Sequence, residues 1–327
     1  MNLKMIAKLA GVSVATVSKA FSGSKEISDK TKERIFEIAR QNDCFDKYFK
    51  NKYGKKVVAV IYPEIQSNYY AKIVDDLEKM LQERNIVMVS SISDFDKERE
   101  VELFQYYAFY SGVDGIIIVE QRNHIKNNIH MPVVSFFTSG VKAKNKHADN
   151  IQIDLSASIE EAILCLKELG HTKIGFAGEA LTGVKLDMYK KAMRKAELIV
   201  RPADIKISSK RFEEAGIECM EKWFQEENPP TAILAAYDYI AVGLARCIRK
   251  KGLSIPEDFS IVGIDDIPIV SYMHTAISSV KTHTEEACRA IVDTIVKKIE
   301  NPYYTPRENI TIKTEFVRRE SIGPCKK

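Results

Sequence analysis

The sequence predicts a small all-α head joined to an α/β body of two lobes, each lobe built on a doubly wound parallel sheet. Three observations carry this reading. The first forty residues repeat a pattern of capping residue followed by helical apolar spacing, with one break at a glycine. Beyond residue 56, short Val/Ile runs alternate with longer amphipathic stretches, and the alternation runs through twice. Charge divides at the same place. Residues 1–56 hold 13 Lys or Arg against six acids, a balance of +7, whereas the whole chain of 327 residues is only +4. A chain this long needs more than one core.

In the head, Asn2 caps a first helix with Leu3, Ile6, Ala7 and Ala10 on its apolar side. Gly11 fits the left-handed residue that ends that helix and turns the chain. Ser13 caps a second helix with Val14, Val17, Ala20 and Phe21 at helical spacing. Ala10 and Ala20 are small enough for the two to cross closely. Ser28 caps a third helix carrying Thr31, Ile35, Ile38 and Ala39. Two helices joined by a tight glycine turn and buttressed by a third make a helix-turn-helix.

The second helix would face base edges with Val14, Ala15, Ser18 and Lys19, with Thr16 beside them. Val14 and Ala15 offer methyl contacts suited to thymine, and Lys19 can donate to guanine O6 and N7. Thr16 and Ser18 can bond phosphates or bases. The helix starts at Ser13 and Ser28, with Thr31 and with Lys4 on the first helix, are phosphate seats. A three-helix protein-interaction head would share the pattern; the concentrated positive charge favours nucleic acid.

The body begins with Val57–Tyr62, a buried strand, then a helix near Tyr70–Arg84, strand Ile86–Ser90 and a helix over Lys97–Ser111. Asp114–Val119, Pro132–Phe137 and Asn150–Asp154 complete the first round of strands. The second round reads as helix Ser156–Leu169, strand Lys173–Ala177, helix Leu186–Ala196 and a weak strand near Asp204–Ile207. Helix Phe212–Glu226, strand Ala232–Ala236, helix Ile240–Lys251 and strand Ser260–Ile264 continue it. Near-continuous apolar runs bounded by Gly, Pro and Asp suit parallel strands buried on both faces. A tail of strand Ile277–Thr282, helix Glu285–Glu300 and strand Asn309–Phe316 then returns, so that both lobes share the ending around a cleft at the strand C-termini.

Other classes find little support. No apolar run is long enough for a bilayer and no secretory h-region opens the chain, so cytoplasmic location is expected. Six scattered cysteines without a Cys-x-x-Cys pair read as reduced thiols. No phosphate-binding glycine loop, Gly-x-Ser-x-Gly elbow or His/Cys ligand cluster occurs, so no catalytic residue, cofactor or metal is expected. His171, in LGHTK, reads as a helix-end residue whose partial charge suits the dipole.

The segments MIAKLAGVSVATVSKAFSGSKEISDKTKERI, HTKIGFAG, PPTAILAAYDYIAVG, IPEDFSIVGIDDIP and FVRRESIG match in order a family of bacterial transcription regulators. The chain resembles the lactose-repressor (LacI/GalR) family throughout its length. The resemblance implies a helix-turn-helix head over residues 1–45, a hinge over 46–56 and a periplasmic-binding-protein-like (type I) effector and dimerisation domain over 57–327. Lobe one would span about 57–154 and 283–308, lobe two about 155–282 and 309–327. It further implies a homodimer reading a near-palindromic operator, with no membrane role, whose affinity a small molecule, of carbohydrate type, changes from the cleft. A protein corepressor or a nucleoside or nucleobase effector are the alternatives.

Two regions depart from that family. The hinge normally carries an Ala/Leu helix with a minor-groove Leu wedge, and here it is a basic stretch without either. Lys50 can bind phosphate, and Tyr48 or Phe49 can serve as an aromatic wedge; a solvated linker that never folds is the other reading. In the cleft, the resemblance assigns Ser67, Tyr69 and Tyr70 of PEIQSNYYA to the first-lobe mouth, where rings could stack on a ligand face. Lys185 stands where the family uses an Arg, and Tyr237 and Leu155 replace amides. Tyr237, Asp238 and Asp265 complete the expected effector set. Asp238 and Asp265 could equally cap the helices after their strands, and Lys185 could be a solvated helix-face residue.

Overall fold

A computed structural model describes residues 2–22, 24, 26–42, 44–45, 48, 54–120, 131–138 and 147–326. The head contains α1 (Leu3–Ala10), α2 (Val14–Phe21) and α3 (Asp29–Gln41). Each starts on the cap read from sequence. Asn2 Oδ1 accepts from the Met5 amide at 3.1 Å, Ser13 Oγ from Thr16 at 3.0 Å and Ser28 Oγ from Thr31 at 3.3 Å. These bonds satisfy amides that a helix start leaves open. Gly11 closes α1 at φ 61° and ψ 36°, where a Cβ is strained. Arg34 of α3 donates to the Ala10 carbonyl beside it, tying the third helix to the turn. Ile6, Ala10, Val17, Ala20, Phe21 and Ile35 are buried together in one core.

The body's first sheet takes β1 (Lys56–Tyr62), β2 (Ile86–Ile92), β3 (Gly115–Val119), β4 (Val133–Thr138) and β5 (Asp149–Asp154). Helices α4 (Asn68–Glu83) and α5 (Lys97–Phe109) connect its early strands. The second sheet takes β6 (Ile174–Glu179), β7 (Ile205–Ser208), β8 (Ala232–Ala235), β9 (Ser260–Asp265) and β10 (Ser278–Lys281). Its helices are α6 (Ser156–Glu168), α7 (Gly183–Lys195), α8 (Phe212–Trp223), α9 (Asp238–Lys250) and the short α10 (Pro268–Tyr272). The tail supplies α11 (Thr284–Glu300), β11 (Asn309–Lys313) and β12 (Glu315–Val317). The sheet orders are β11-β5-β4-β3-β1-β2 and β12-β10-β9-β8-β6-β7. Every pairing is parallel except β12 against β10.

The strand expected over 309–316 is two strands in two sheets. Asn309–Lys313 extends the first sheet beside β5, and Glu315–Val317 runs antiparallel to β10 in the second. Residues 309–313 therefore lie with lobe one, against the lobe-two range expected from sequence. The cause is Thr314, whose hydroxyl donates to the Asp154 carbonyl at 2.9 Å and shares a 2.8 Å bond with Ser158. That anchor sits where the chain first leaves lobe one, and the alternating pattern of 309–316, which runs on through Thr314, hides it.

Helix α8 packs on α9 through glycines. A Cβ on Gly216 would lie 2.1 Å from the Ile240 carbonyl oxygen, and one on Gly243 2.0 Å from that of Glu213. Short α10 was not visible as a period, because five residues make little more than one turn.

Candidate functional site

In each sheet the parallel strands point their C-terminal ends toward the other lobe, and loops leaving those ends line a cavity of about 430 Å³. From lobe one come Glu64 and Ser67 after β1, Phe95 after β2, Glu120 after β3 and Thr138 at the end of β4. From lobe two come Glu179 at the end of β6, Arg211 and Phe212 after β7, Tyr237 after β8 and Asp265 at the end of β9.

The expected residues Ser67, Tyr69, Tyr70, Lys185, Tyr237 and Asp265 all line this cavity. Ser67 caps α4, its Oγ accepting from the Tyr70 amide at 3.3 Å, which sets both tyrosines at the first turn. Their rings meet edge-on at 5.1 Å, and Tyr70 meets Phe95 at 5.9 Å. Burial and the nearby Glu120 and Asp265 carboxylates push both phenols well above their ordinary pKa, so their hydroxyls remain protonated donors. Lys185 Nζ lies 3.4 Å from Asp265 and 5.8 Å from the Tyr237 ring centre. Burial raises the Asp265 pKa, and Lys185 holds it back. The solvated helix-face reading of Lys185 fails, since α7 starts three residues earlier than expected and turns this side chain inward.

Asp238 is the exception among the expected cleft residues. It is 1% exposed and does not line the cavity. Its two oxygens accept from Ser279 Oγ at 2.7 Å and the Ile267 amide at 2.8 Å. Burial and the Asp265 charge raise its pKa. It does not cap α9 either, being that helix's first residue. It ties β8 to β10 and the start of α10, because the strand end it follows turns its side chain back under the sheet.

Sequence reading passed over the most heavily connected residue in the cleft. Arg211 makes a two-pronged pair across the lobes with Glu64, at 2.8 and 2.9 Å, and lies 3.8 Å from Glu179. The rule that ligands gather at strand ends, applied to the weak strand near residue 207, points at this position.

In the head, Ser13, Val14, Ala15 and Lys19 are exposed, with Thr16 and Ser18 half-buried, while Val17, Ala20 and Phe21 are buried. Lys4 and Ser28 are also exposed, and Thr31 is half-buried. Lys19 reaches Glu26 in an exposed ion pair. The half-buried Tyr48 ring packs 5.6 Å from Phe21 against the head core. Phe49 and Lys50 lie outside the described residues. Among the described residues no cluster of His, Cys, Asp or Glu could hold a metal, and no helix is long and apolar enough to cross a membrane.

Residues 2–43 match the family described as "Bacterial regulatory proteins, lacI family", and residues 164–322 match "Periplasmic binding protein-like domain". The chain belongs to the LacI family. It is 26% identical to the ribose operon repressor of Haemophilus influenzae over 99% of each chain. Among solved structures, a LacI-family regulator from Silicibacter pomeroyi superposes with a TM-score of 0.77 at 19% identity over 99% of each chain. One from Enterococcus faecium with bound ribose gives 0.71 at 22% identity, covering 83% of this chain and all of that one. This LacI-family chain thus joins a helix-turn-helix head to two sheets in the periplasmic-binding-protein arrangement.

Proposed function

We propose that the chain is a transcriptional repressor whose affinity for operator DNA changes when a small hydroxyl-bearing molecule binds between its lobes. The observation that carries this reading is the cavity itself. Loops from both sheets bring aromatic rings and paired charges to one space, so a ligand there interacts differently with open and closed lobes, as a population shift requires. Tyr69, Tyr70, Lys185, Tyr237 and Asp265 are its proposed contacts, with Ser67 positioning the tyrosines. A relative that holds ribose supports a sugar; the density of rings leaves a nucleoside as the second reading.

In the head, exposed Val14, Ala15 and Lys19, with Thr16 and Ser18, read bases, and Lys4 and the helix starts at Ser13 and Ser28, with Thr31, hold phosphates. The chain acts by binding rather than by catalysis, in the cytoplasm, as a homodimer whose two heads span a near-palindromic site. Duplexes selected from random DNA, then titrated with the protein with and without sugars and nucleosides, test both halves. Lys19→Ala should narrow the gap between selected and scrambled duplexes by about tenfold. An unchanged gap removes Lys19 from the base-reading set.

A further inference from the structure

The charges of the cleft are already balanced against each other. Arg211 is gripped by Glu64 of lobe one and faced by Glu179 of lobe two. Lys185 has Asp265. Among the described residues, four carboxylates, with Glu120, line the cavity against three cations, of which Lys97 stands exposed at the rim. Among the described residues an incoming anion therefore meets inner cations already paired with carboxylates and a surplus of like charge.

Arg211 is also held rigidly. Its guanidinium carbon lies 5.3 Å from the Phe95 ring centre and 4.7 Å from that of Phe212. Phe212 sits at φ 55°, and its amide donates to Tyr237 Oη at 3.0 Å. This fixes the backbone from which Arg211 projects. Glu64 uses the two terminal nitrogens. The third nitrogen, Nε, is buried and has no hydrogen-bond partner, with Glu179 Oε1 beyond hydrogen-bond range at 3.8 Å.

An unmet donor beside an acceptor defines what fits. A group seated there must accept from Nε and donate to Glu179. A hydroxyl does both. A phosphate or carboxylate oxygen only accepts, and it places negative charge against two glutamates. An ammonium only donates, leaving Nε unmet.

We propose that Arg211 is the specificity-determining residue of the cleft: its Nε and Glu179 Oε1 seat one hydroxyl of an uncharged polyol or sugar, and the cleft rejects carboxylated and phosphorylated sugars. This rests on the small-molecule reading above. It goes further in assigning the charge class of the ligand and a residue that selects it.

The test is thermal shift followed by calorimetry on the full chain. The panel holds neutral hexoses, pentoses and their disaccharides, each beside its uronate, phosphate and amino counterparts. At least one neutral sugar should raise the Tm, and its uronate and phosphate should not do so at the same concentration. Arg211→Gln should weaken the neutral sugar at least tenfold. Glu179→Gln, which keeps the shape and removes one charge, should shrink the preference for neutral over anionic sugar at least tenfold. A merely structural role would lower the unliganded Tm and leave that preference alone. If Arg211→Gln does not fold, the Glu179→Gln ratio decides. A uronate or phosphosugar binding as well as its neutral parent overturns the proposal while the small-molecule reading stands. No shift from any member of the panel overturns both.

Discussion

His171 and Asp238 are both buried ionisable groups, and each departs from its sequence reading for the same reason. His171 ends α6's turn, where a charged ring would suit the helix dipole, yet it is 2% exposed. Its Nε2 must donate to the Gly323 carbonyl at 3.0 Å, since that oxygen only accepts, so Nδ1 accepts from Thr231 at 2.8 Å. Burial lowers its pKa below the ordinary 6.5. The unfolded chain then takes up the proton first on acidification. Stability from this group is full above 6.5 and falls as pH drops below it. We expect the slope of Tm against pH between 7 and 5 to flatten in His171→Gln; an equal slope would remove His171 as its source. Asp238→Ala should cost about 2–4 kcal/mol in urea unfolding, because it strands the Ile267 amide and the Ser279 hydroxyl. A loss confined to effector binding would instead restore it to the cleft. Neither role was legible in sequence. Partners of a buried polar group come from distant segments, such as Gly323 for His171. Lys185 and Asp265, by contrast, were readable, Lys185 from the place the family resemblance gives it and Asp265 from its position at the end of a strand.

At the scale of elements, caps and periodicity were strong guides. Asn2, Ser13 and Ser28 start their helices as read, and Gly11 turns where a left-handed residue was required. Contacts between elements were less legible. The Gly216–Gly243 approach of α8 and α9 has no periodic signature, since each glycine looks merely unfavourable within its own helix. Gly243→Ala must push its methyl against the Glu213 backbone, which cannot rotate away as a side chain can. A loss of about 3 kcal/mol is expected, read as a lower denaturant midpoint at constant m. An unchanged midpoint would mean that the helices separate freely.

Across the whole molecule, the chain leaves lobe one after β5, returns after β10 and leaves again at Thr314. Sequence suggested a shared ending but missed where it divides, because a single threonine hydroxyl decides it. The consequence concerns synthesis. Strand β11 pairs with β5 across a gap such as Asn150 to Asn309, and β12 closes the other sheet beside β10. Until residues 309–317 emerge from the ribosome, both sheets present an unpaired edge, and such edges recruit other chains. A chain ending at residue 308 should therefore accumulate as aggregate while the full chain stays dispersed, as sedimentation of fresh translation products would show. A dispersed, folded truncation would mean that the last strands are ornament rather than closure. Strands β11 and β12 follow one another within residues 309–317, so the first sheet gains its last strand only a few residues before the second.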